Sequence, residues 1–207
     1  MKPIRIVIIA KAAQPGFAKT RLIPALGEQG AADLAQRMLT YTLSEALAAK
    51  IGPVELCVTP SSTGAVWQTF TIPDEVQYSD QGEGDLGERL ARVTRRVIAN
   101  DESVLLIGTD CLELTTFHLL QAANTLRHFD SILIPVTDGG YALLGLNFFH
   151  PSLFEFIKWS TNTVLIETMH RLKRLGYSVH SYPSLHDIDE PEDLRWLPKT
   201  WGEKEHA

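Results

Sequence analysis

The sequence has little of what marks several large protein classes. It holds two cysteines in 207 residues, Cys57 and Cys111, and neither belongs to a C-x-x-C pair, which argues against a disulfide scaffold. The seven histidines form no H-E-x-x-H motif or His/Cys cluster, so a zinc site is not expected. No apolar run approaches the roughly 18 residues of a membrane span. Lys and Arg form no stripe that could neutralise a row of phosphates, and the net charge is −6. We therefore expect a cytoplasmic protein with no membrane span and no nucleic-acid partner.

Hydrophobic patterning predicts a single α/β domain. Short β-rich segments, several of them apolar on both faces, alternate with longer segments of helical periodicity. The strands are predicted at residues 4–10, 54–59, 103–108, 131–136 and 177–182, and the helices at residues 31–50, 86–100, 115–129 and 162–176. Such alternation builds a mostly parallel sheet sandwiched by helices. We expect this domain to span residues 1–198 and residues 199–207 to form a frayed tail.

The segment "VLLIGTDCLEL" places an acid just beyond a buried strand. Ligands of open α/β sheets bind outside the carboxyl ends of the strands, so Asp110 is expected in a binding crevice. A carboxylate is a hard oxygen ligand suited to Mg²⁺ or Mn²⁺. Asp110 could instead cap the next helix, but it lies several residues too early, and Thr115 or Thr116 can fill that role. The sequence therefore favours a functional Asp110.

The loop after the first strand, "KAAQPGFAKTRL", resembles a phosphate-binding loop only in part. Ala13 and Ala18 occupy the glycine positions of a Walker A motif, so a P-loop is excluded. Its three cations, Lys11, Lys19 and Arg21, could still hold a pyrophosphate at the edge of the crevice. The alternative is a solvated basic loop.

Three further segments combine glycines or acids. "QGEGDLGERL" contains a literal G-x-G-x-x-G, but it lies mid-chain and its acids would repel a pyrophosphate, so a turn that caps the next helix is the simpler interpretation. "PVTDGGYALLGL" has the form of a tight turn between strands. In "HDIDEPEDL", a helix is expected near Pro191. If the preceding segment is extended, Asp187 and Asp189 point to opposite faces and only one can reach a metal.

Together these motifs resemble a family of short bacterial proteins of the nucleotide-diphospho-sugar transferase superfamily, the DUF2064-type uncharacterised glycosyltransferases with a GT-A fold. The resemblance rests on "KAAQPGFAKTRL", "GDLGERL", "IGTDC", "DGGYALLGL", "WSTNTV" and "DIDEPEDL", which occur in the family's order between Lys11 and Leu194. The chain departs from the family at Leu112 and Ala13, where proline is usual. Both changes affect loop stiffness more than chemistry.

The resemblance implies a metal-dependent glycosyltransferase that uses a nucleotide-activated sugar and a small-molecule acceptor, with Mg²⁺ or Mn²⁺ as cofactor. It assigns the metal to Asp110 and Asp189, and it implies that Asp138 aligns or deprotonates the acceptor. The remaining implied contacts are Lys11, Lys19 and Arg21 to phosphate, Gln81 and Gly84 to the nucleobase, and Gly139, Gly140, Tyr141, Trp159, Ser160 and Thr161 to the sugar or acceptor.

Two alternatives share this fold. A nucleotidyltransferase would join a nucleoside triphosphate to a phosphorylated acceptor and release pyrophosphate. Such enzymes usually carry a more glycine-rich opening loop than this one, whose single glycine is Gly16. The second alternative is a nucleotide-binding module without turnover.

Overall fold

The computed structural model describes residues 2–201, which form a seven-stranded sheet covered by helices on both faces. The strands are β1 (Ile4–Lys11), β2 (Val54–Thr59), β3 (Gln77–Asp80), β4 (Ser103–Ile107), β5 (Ser131–Pro135), β6 (Tyr141–Leu146) and β7 (Val179–Ser181). Their spatial order is β3-β2-β1-β4-β6-β5-β7, and among these strands only β6 runs antiparallel to its neighbours. The predicted single-domain, mostly parallel α/β fold is confirmed.

Four α-helices connect the strands: α1 (Ile23–Ala48), α2 (Leu86–Ala99), α3 (Thr116–Thr125) and α4 (Val164–Arg174). The start of α2 follows from local chemistry, because the Asp85 carboxylate accepts from the backbone N–H of Glu88 while the Glu88 carboxylate accepts from that of Asp85. The "GDLGERL" segment thus forms the capping turn expected of it. Within residues 2–201, none of the helices combines the length and apolar character that a membrane crossing requires.

Neighbouring residues of the strands face opposite layers of the core. Ile6 and Ile8 of β1 pack with α1 and α3, whereas Val7 between them packs with α2. In β4, Leu105 and Leu106 divide in the same way. This explains why the central strands are apolar on both faces, since both faces lie under helices.

Three parts of the chain differ from the predicted elements. Helix α1 begins at Ile23 rather than at the predicted residue 31, and it bends at Gly27, whose φ is 72°. The sheet has seven strands where five were predicted, because it also contains β3 and β6. Strand β7 is shorter than the strand predicted at residues 177–182. In the expected tail, Lys199–Trp201 form a 3-10 turn instead of a frayed end, because the Trp201 ring packs 6.0 Å from that of Tyr41. The rest of that tail, residues 202–207, lies outside the described residues.

After β7 the chain turns back across the carboxyl edge of the sheet. Residues 182–201, which we call the C-terminal strap, are bonded first to β5, where Leu185 N–H donates to the Pro135 carbonyl at 2.9 Å. The Ile188 N–H then donates to the Asp110 carbonyl at 2.8 Å. Ile188 is also buried in a small apolar cluster with Leu22 and Leu112. The opening loop, the end of β4 and the strap are therefore fixed to one another.

Candidate functional site

Lys19 brings the opening loop to the predicted metal carboxylates. Its ammonium lies 2.5 Å from Asp110 Oδ1 and 3.7 Å from Asp189 Oδ1, and it donates to the Ile188 carbonyl at 2.5 Å. The backbone of Lys19 is left-handed, with a φ of 48°, and only 6% of its side chain is exposed. One cation thus sits among three oxygens that come from two distant segments of the chain.

Arg21 extends this arrangement toward the strap. Its guanidinium donates to Asp189 Oδ2 at 2.7 Å and lies 3.3 Å from Glu190 Oε1. The Asp193 carboxylate accepts from the backbone N–H groups of Asp189 and Glu190, which fixes the strap at the start of its 3-10 helix, Pro191–Trp196. We refer to Lys19, Arg21, Asp110 and Asp189 as the cation–acid cluster.

The donor atoms of this cluster suit a small divalent cation. Carboxylate and carbonyl oxygens are the ligands that Mg²⁺ prefers, and such ions usually take one or two protein carboxylates and complete their shell with phosphates and water. Among the described residues 2–201 no group of three or more His, Cys, Asp or Glu side chains could hold a metal, so the two carboxylates alone would need further ligands from phosphate or water.

Lys11 is not part of this cluster. It ends β1 as an exposed side chain, and among the described residues it forms no ion pair, in contrast to Lys19 and Arg21. Cys111, next to Asp110, is buried, and burial raises the pKa of its thiol to about 12, so the thiol stays protonated.

A cavity of about 320 Å³ is also lined by Asp110, but not by Lys19, Arg21 or Asp189. Its walls come from β1, α2, the carboxyl end of β4, the turn before β6 and the segment before α4. Three carboxylates line it, those of Asp110, Asp138 and Asp187, and the lining is otherwise mainly apolar or aromatic: Ile9, Leu86, Leu90, Leu106, Val136, Tyr141, Trp159 and Val164. We call it the apolar cavity.

Asp187 is a site residue to which the sequence assigned no role, although alternation predicted that it and Asp189 point to opposite faces. It faces the apolar cavity, while Asp189, two residues on, faces Lys19 and Arg21. Partial burial, followed by the nearby charges of Asp138, Asp110 and Asp189, raises the pKa of Asp187 to about 6. The strap therefore supplies one acid to each side of Asp110.

Of the predicted sugar or acceptor residues, all but Gly139 line the cavity. Asp138 Oδ1 accepts from the Gly140 N–H at 2.7 Å, which closes the turn between β5 and β6. Gly139 has a φ of 92°, and a Cβ there would lie 2.3 Å from the Asn162 carbonyl oxygen. The turn thus packs against the segment that carries the cavity residues Trp159, Ser160 and Thr161.

Two aromatic side chains complete this wall. The Trp159 indole N–H is buried and packs against Gly87 of α2. The Tyr141 hydroxyl is also buried, and burial raises its pKa. Neither Gly139 nor Gly87 can be enlarged without moving this wall.

Gln81 is placed differently from its predicted role at the nucleobase. Its amide nitrogen donates to the carbonyls of Ala10 at 2.9 Å and Cys57 at 3.0 Å, and its oxygen accepts from Arg89. The side chain is 4% exposed and ties the ends of β1 and β2 together. Gly84, with a φ of 102°, lies in the adjoining exposed turn, and Arg89 donates to its carbonyl at 2.9 Å. The structure thus gives Gln81 a supporting position and leaves the turn at Gly84 accessible.

The family of the chain follows from a sequence comparison. A family model described as "Uncharacterized protein conserved in bacteria (DUF2064)" matches residues 42–161, which include Asp110, Asp138 and the residues of the cavity wall. The chain belongs to the DUF2064 family. Among curated proteins, none matches the DUF2064 protein.

Solved structures show the same fold. A protein from Desulfovibrio desulfuricans G20, provisionally described as a nucleotide-diphospho-sugar transferase, is 27% identical, with a TM-score of 0.88 over 99% of this chain and 90% of that one. Rv0371c from Mycobacterium tuberculosis H37Rv, solved in complex with manganese, is 16% identical, with a TM-score of 0.55 over 95% and 98%. The 4-diphosphocytidyl-2C-methyl-D-erythritol synthase of Anaerococcus prevotii DSM 20548 is 13% identical, with a TM-score of 0.59 over 98% and 99%. The DUF2064 protein therefore has the nucleotide-diphospho-sugar transferase fold.

Proposed function

We propose that the DUF2064 protein transfers a sugar from a nucleotide diphospho-sugar to a small-molecule acceptor, with Mg²⁺ or Mn²⁺ held by Asp110 and Asp189. One observation carries the proposal: Asp110 borders two regions of opposite chemistry. The cation–acid cluster on one side suits a diphosphate, and the apolar cavity on the other side suits an uncharged group. The 27% identical relative described as a sugar transferase supports the same reaction class.

Lys19 and Arg21 would hold the diphosphate of the donor. Both already contact carboxylates, so a diphosphate would replace some of these contacts with charge-assisted hydrogen bonds to phosphate oxygens. A divalent ion, when bound, stabilises the negative charge that develops on the leaving diphosphate. The accessible turn at Gly84 lies beyond the ends of β1 and β2, and we assign the nucleobase to it through backbone contacts rather than through Gln81.

Asp138 would align the acceptor hydroxyl. Its Oδ1 is fixed by the Gly140 N–H, so the position of the carboxylate is set by the turn and its second oxygen stays available. In the transfer, the acceptor oxygen forms a bond to the anomeric carbon. The bond from that carbon to the diphosphate breaks, and its electron pair leaves with the nucleoside diphosphate. The acceptor proton passes to Asp138 and then to solvent.

The nucleotidyltransferase alternative requires a phosphorylated acceptor. No Lys, Arg or His is among the residues that line the apolar cavity in the described chain, while three Asp are. An acceptor phosphate would thus face Asp138 and Asp187, and no cationic side chain of the cavity lining would lie beside it. This favours glycosyl transfer.

The test is incubation with a panel of nucleotide diphospho-sugars and nucleoside triphosphates, each with Mn²⁺ and a mixed set of alcohols and sugar phosphates. Release of nucleoside diphosphate from a sugar donor is the expected result. Release of pyrophosphate from a triphosphate, only with a phosphorylated acceptor, would establish nucleotidyl transfer instead. Nucleotide binding that ignores Mn²⁺, without turnover, would identify a binding module. Asp110→Asn serves as the control, because it keeps the side-chain size and removes the charge.

A further inference from the structure

We propose that the apolar cavity binds the acceptor, and that this acceptor is an uncharged alcohol or phenol carried on an aromatic or aliphatic body. The proposal rests on the sugar transfer proposed above and adds the class of its second substrate. It is carried by the residues that line the cavity and by Asp110, which belongs both to this lining and to the cation–acid cluster.

The charge of the cavity selects against anionic acceptors. Its charged lining residues are Asp110, Asp138 and Asp187, and the cations of the cluster are not among the residues that line it. The Lys19 ammonium is held by oxygens of Asp110, Ile188 and Asp189. The Arg21 guanidinium contacts Asp189 and Glu190 on the strap. A phosphate or carboxylate in the cavity would therefore be desolvated next to like charges.

The walls select for an apolar body. Ile9, Leu90 and Leu106 form one side, and Val136 and Val164 face the cavity from the sheet edge and from the start of α4. A sugar carries hydroxyl groups on most of its carbons, and those turned toward such walls would lose hydrogen bonds to water without replacement. An aliphatic or aromatic body loses nothing there and gains from burial. Trp159 and Tyr141 add aromatic side chains to this lining, against which an aromatic body can pack.

The polar side chains of the cavity orient the acceptor. Asp110 lines the cavity and also contacts Lys19 of the cluster, and Asp138, Asp187, Ser160 and Thr161 line the cavity with it. A molecule with a single hydroxyl would place that group among the acids and its body among the apolar walls. Its oxygen would then lie beside the diphosphate-binding side of Asp110, which is where the proposed transfer needs it.

The first experiment compares two ligands with the same body, 2-naphthol and 2-naphthyl phosphate, by titration calorimetry with the protein in the presence of Mn²⁺ and a nucleoside diphosphate. The diphosphate fills the cluster, so that the probe phosphate cannot bind there. We expect 2-naphthol to bind at least about tenfold more tightly than 2-naphthyl phosphate. Equal affinities, or tighter binding of the phosphate, would overturn the proposal. Tighter binding of glucose than of 2-naphthol would overturn it as well.

The second experiment places a cation at the cavity. Leu86 lines the cavity but is 38% exposed, so Leu86→Lys can be made without burying a charge in the core. In this variant the affinity for 2-naphthol divided by the affinity for 2-naphthyl phosphate should fall by at least about fivefold, because the ammonium attracts the anion. Ile166→Lys is the matched control, since Ile166 is exposed on α4 and does not line the cavity. An identical change of preference in both variants would show that binding occurs elsewhere.

These binding measurements separate the acceptor inference from the proposed reaction. If nucleoside diphosphate is released from a sugar donor with other acceptors but 2-naphthol does not bind, then sugar transfer stands and the acceptor class is wrong. If 2-naphthol binds as expected and no sugar donor is consumed with any hydroxyl acceptor, the acceptor inference falls with its reaction, although the cavity retains its selectivity.

Discussion

Replacing Lys19 with alanine should change metal affinity and nucleotide affinity in opposite directions. In the free protein the ammonium lies 2.5 Å from Asp110 Oδ1 and 3.7 Å from Asp189 Oδ1. In the proposed metal site, Mn²⁺ would have to displace it from between these acids. Without the ammonium, both carboxylates lose their nearest positive charge and become better ligands.

The size of each change can be worked out from these contacts. Lys19 makes a charge-assisted hydrogen bond to Asp110, and such bonds contribute about 1.5–3 kcal/mol. Only part of that is recovered on metal binding, because water also solvates the freed acids. We therefore expect Mn²⁺ to bind Lys19→Ala about tenfold more tightly, or about 1.4 kcal/mol. The same variant should lose about 1.5–3 kcal/mol of affinity for a nucleoside diphosphate, since one phosphate contact disappears.

The first assay titrates Mn²⁺ into the protein without nucleotide and measures the free ion by electron paramagnetic resonance. The second assay is calorimetry with a nucleoside diphosphate at saturating Mn²⁺. Lys11→Ala is the matched control, because Lys11 is an exposed lysine of the same loop without an ion pair among the described residues. Its Mn²⁺ affinity should stay at the wild-type value. Unchanged or weaker Mn²⁺ binding in a folded Lys19→Ala protein would refute the competition between ammonium and metal.

Three further predictions concern the acids, the turn and Arg21. Asp187 has a raised pKa, so the native state binds more protons than the unfolded state between about pH 4 and pH 6, and stability falls across that window as pH rises. Asp187→Asn should therefore stabilise the metal-free protein by about 1–3 kcal/mol at pH 7 and by little at pH 4. Urea unfolding in EDTA measures both values, and an equal gain in stability at the two pH values would contradict the prediction. Gly139→Ala should lower stability by more than about 2 kcal/mol, and by more than Gly176→Ala does. Both glycines have positive φ, but only Gly139 has Asn162 packed against it. Equal losses of stability in thermal unfolding would contradict this close packing. Arg21→Ala should weaken nucleoside diphosphate binding by about 1.5–3 kcal/mol and Arg21→Lys by less, similarly for two different bases; calorimetry that shows no loss with either base would remove Arg21 from the phosphate site.

Much of the fold could be predicted because its signals are local. The apolar runs of β1, β2, β4 and β5 and the periodicity of the helices need no long-range information. The position of Asp110 at the carboxyl edge follows from the end of β4 alone. The early start of α1 was missed because the predicted helix was begun only at residue 31, after the bend at Gly27. Pro24 suits the first turn of a helix, and the apolar cluster around Leu22 packs against this part of the chain.

The site was harder to predict because its contacts join distant segments. Nothing in "KAAQPGFAKTRL" shows that Lys19 will contact Asp110, and nothing in "QGEG" shows that Gln81 will bond to Ala10 and Cys57. Alternation in "HDIDEP" separates Asp187 from Asp189 but says nothing of the cavity that Asp187 faces. The signal available in the sequence was that two acids, Asp187 and Asp189, flank the apolar Ile188.

Ligand binding should be detectable at the backbone amides of the C-terminal strap. Asp110 follows β4 in the centre of the sheet, whereas Asp189 is carried by a segment joined to the sheet through bonds such as those at Leu185 and Ile188. Segments with few such bonds open locally at a lower free energy than the whole protein. An ion that bridges the two acids would act as a cross-link between strap and sheet. Amide hydrogen exchange at Leu185 and Ile188 should therefore slow when metal and nucleotide bind. Exchange in the interior of β1 and β4 should stay at the rate set by global unfolding.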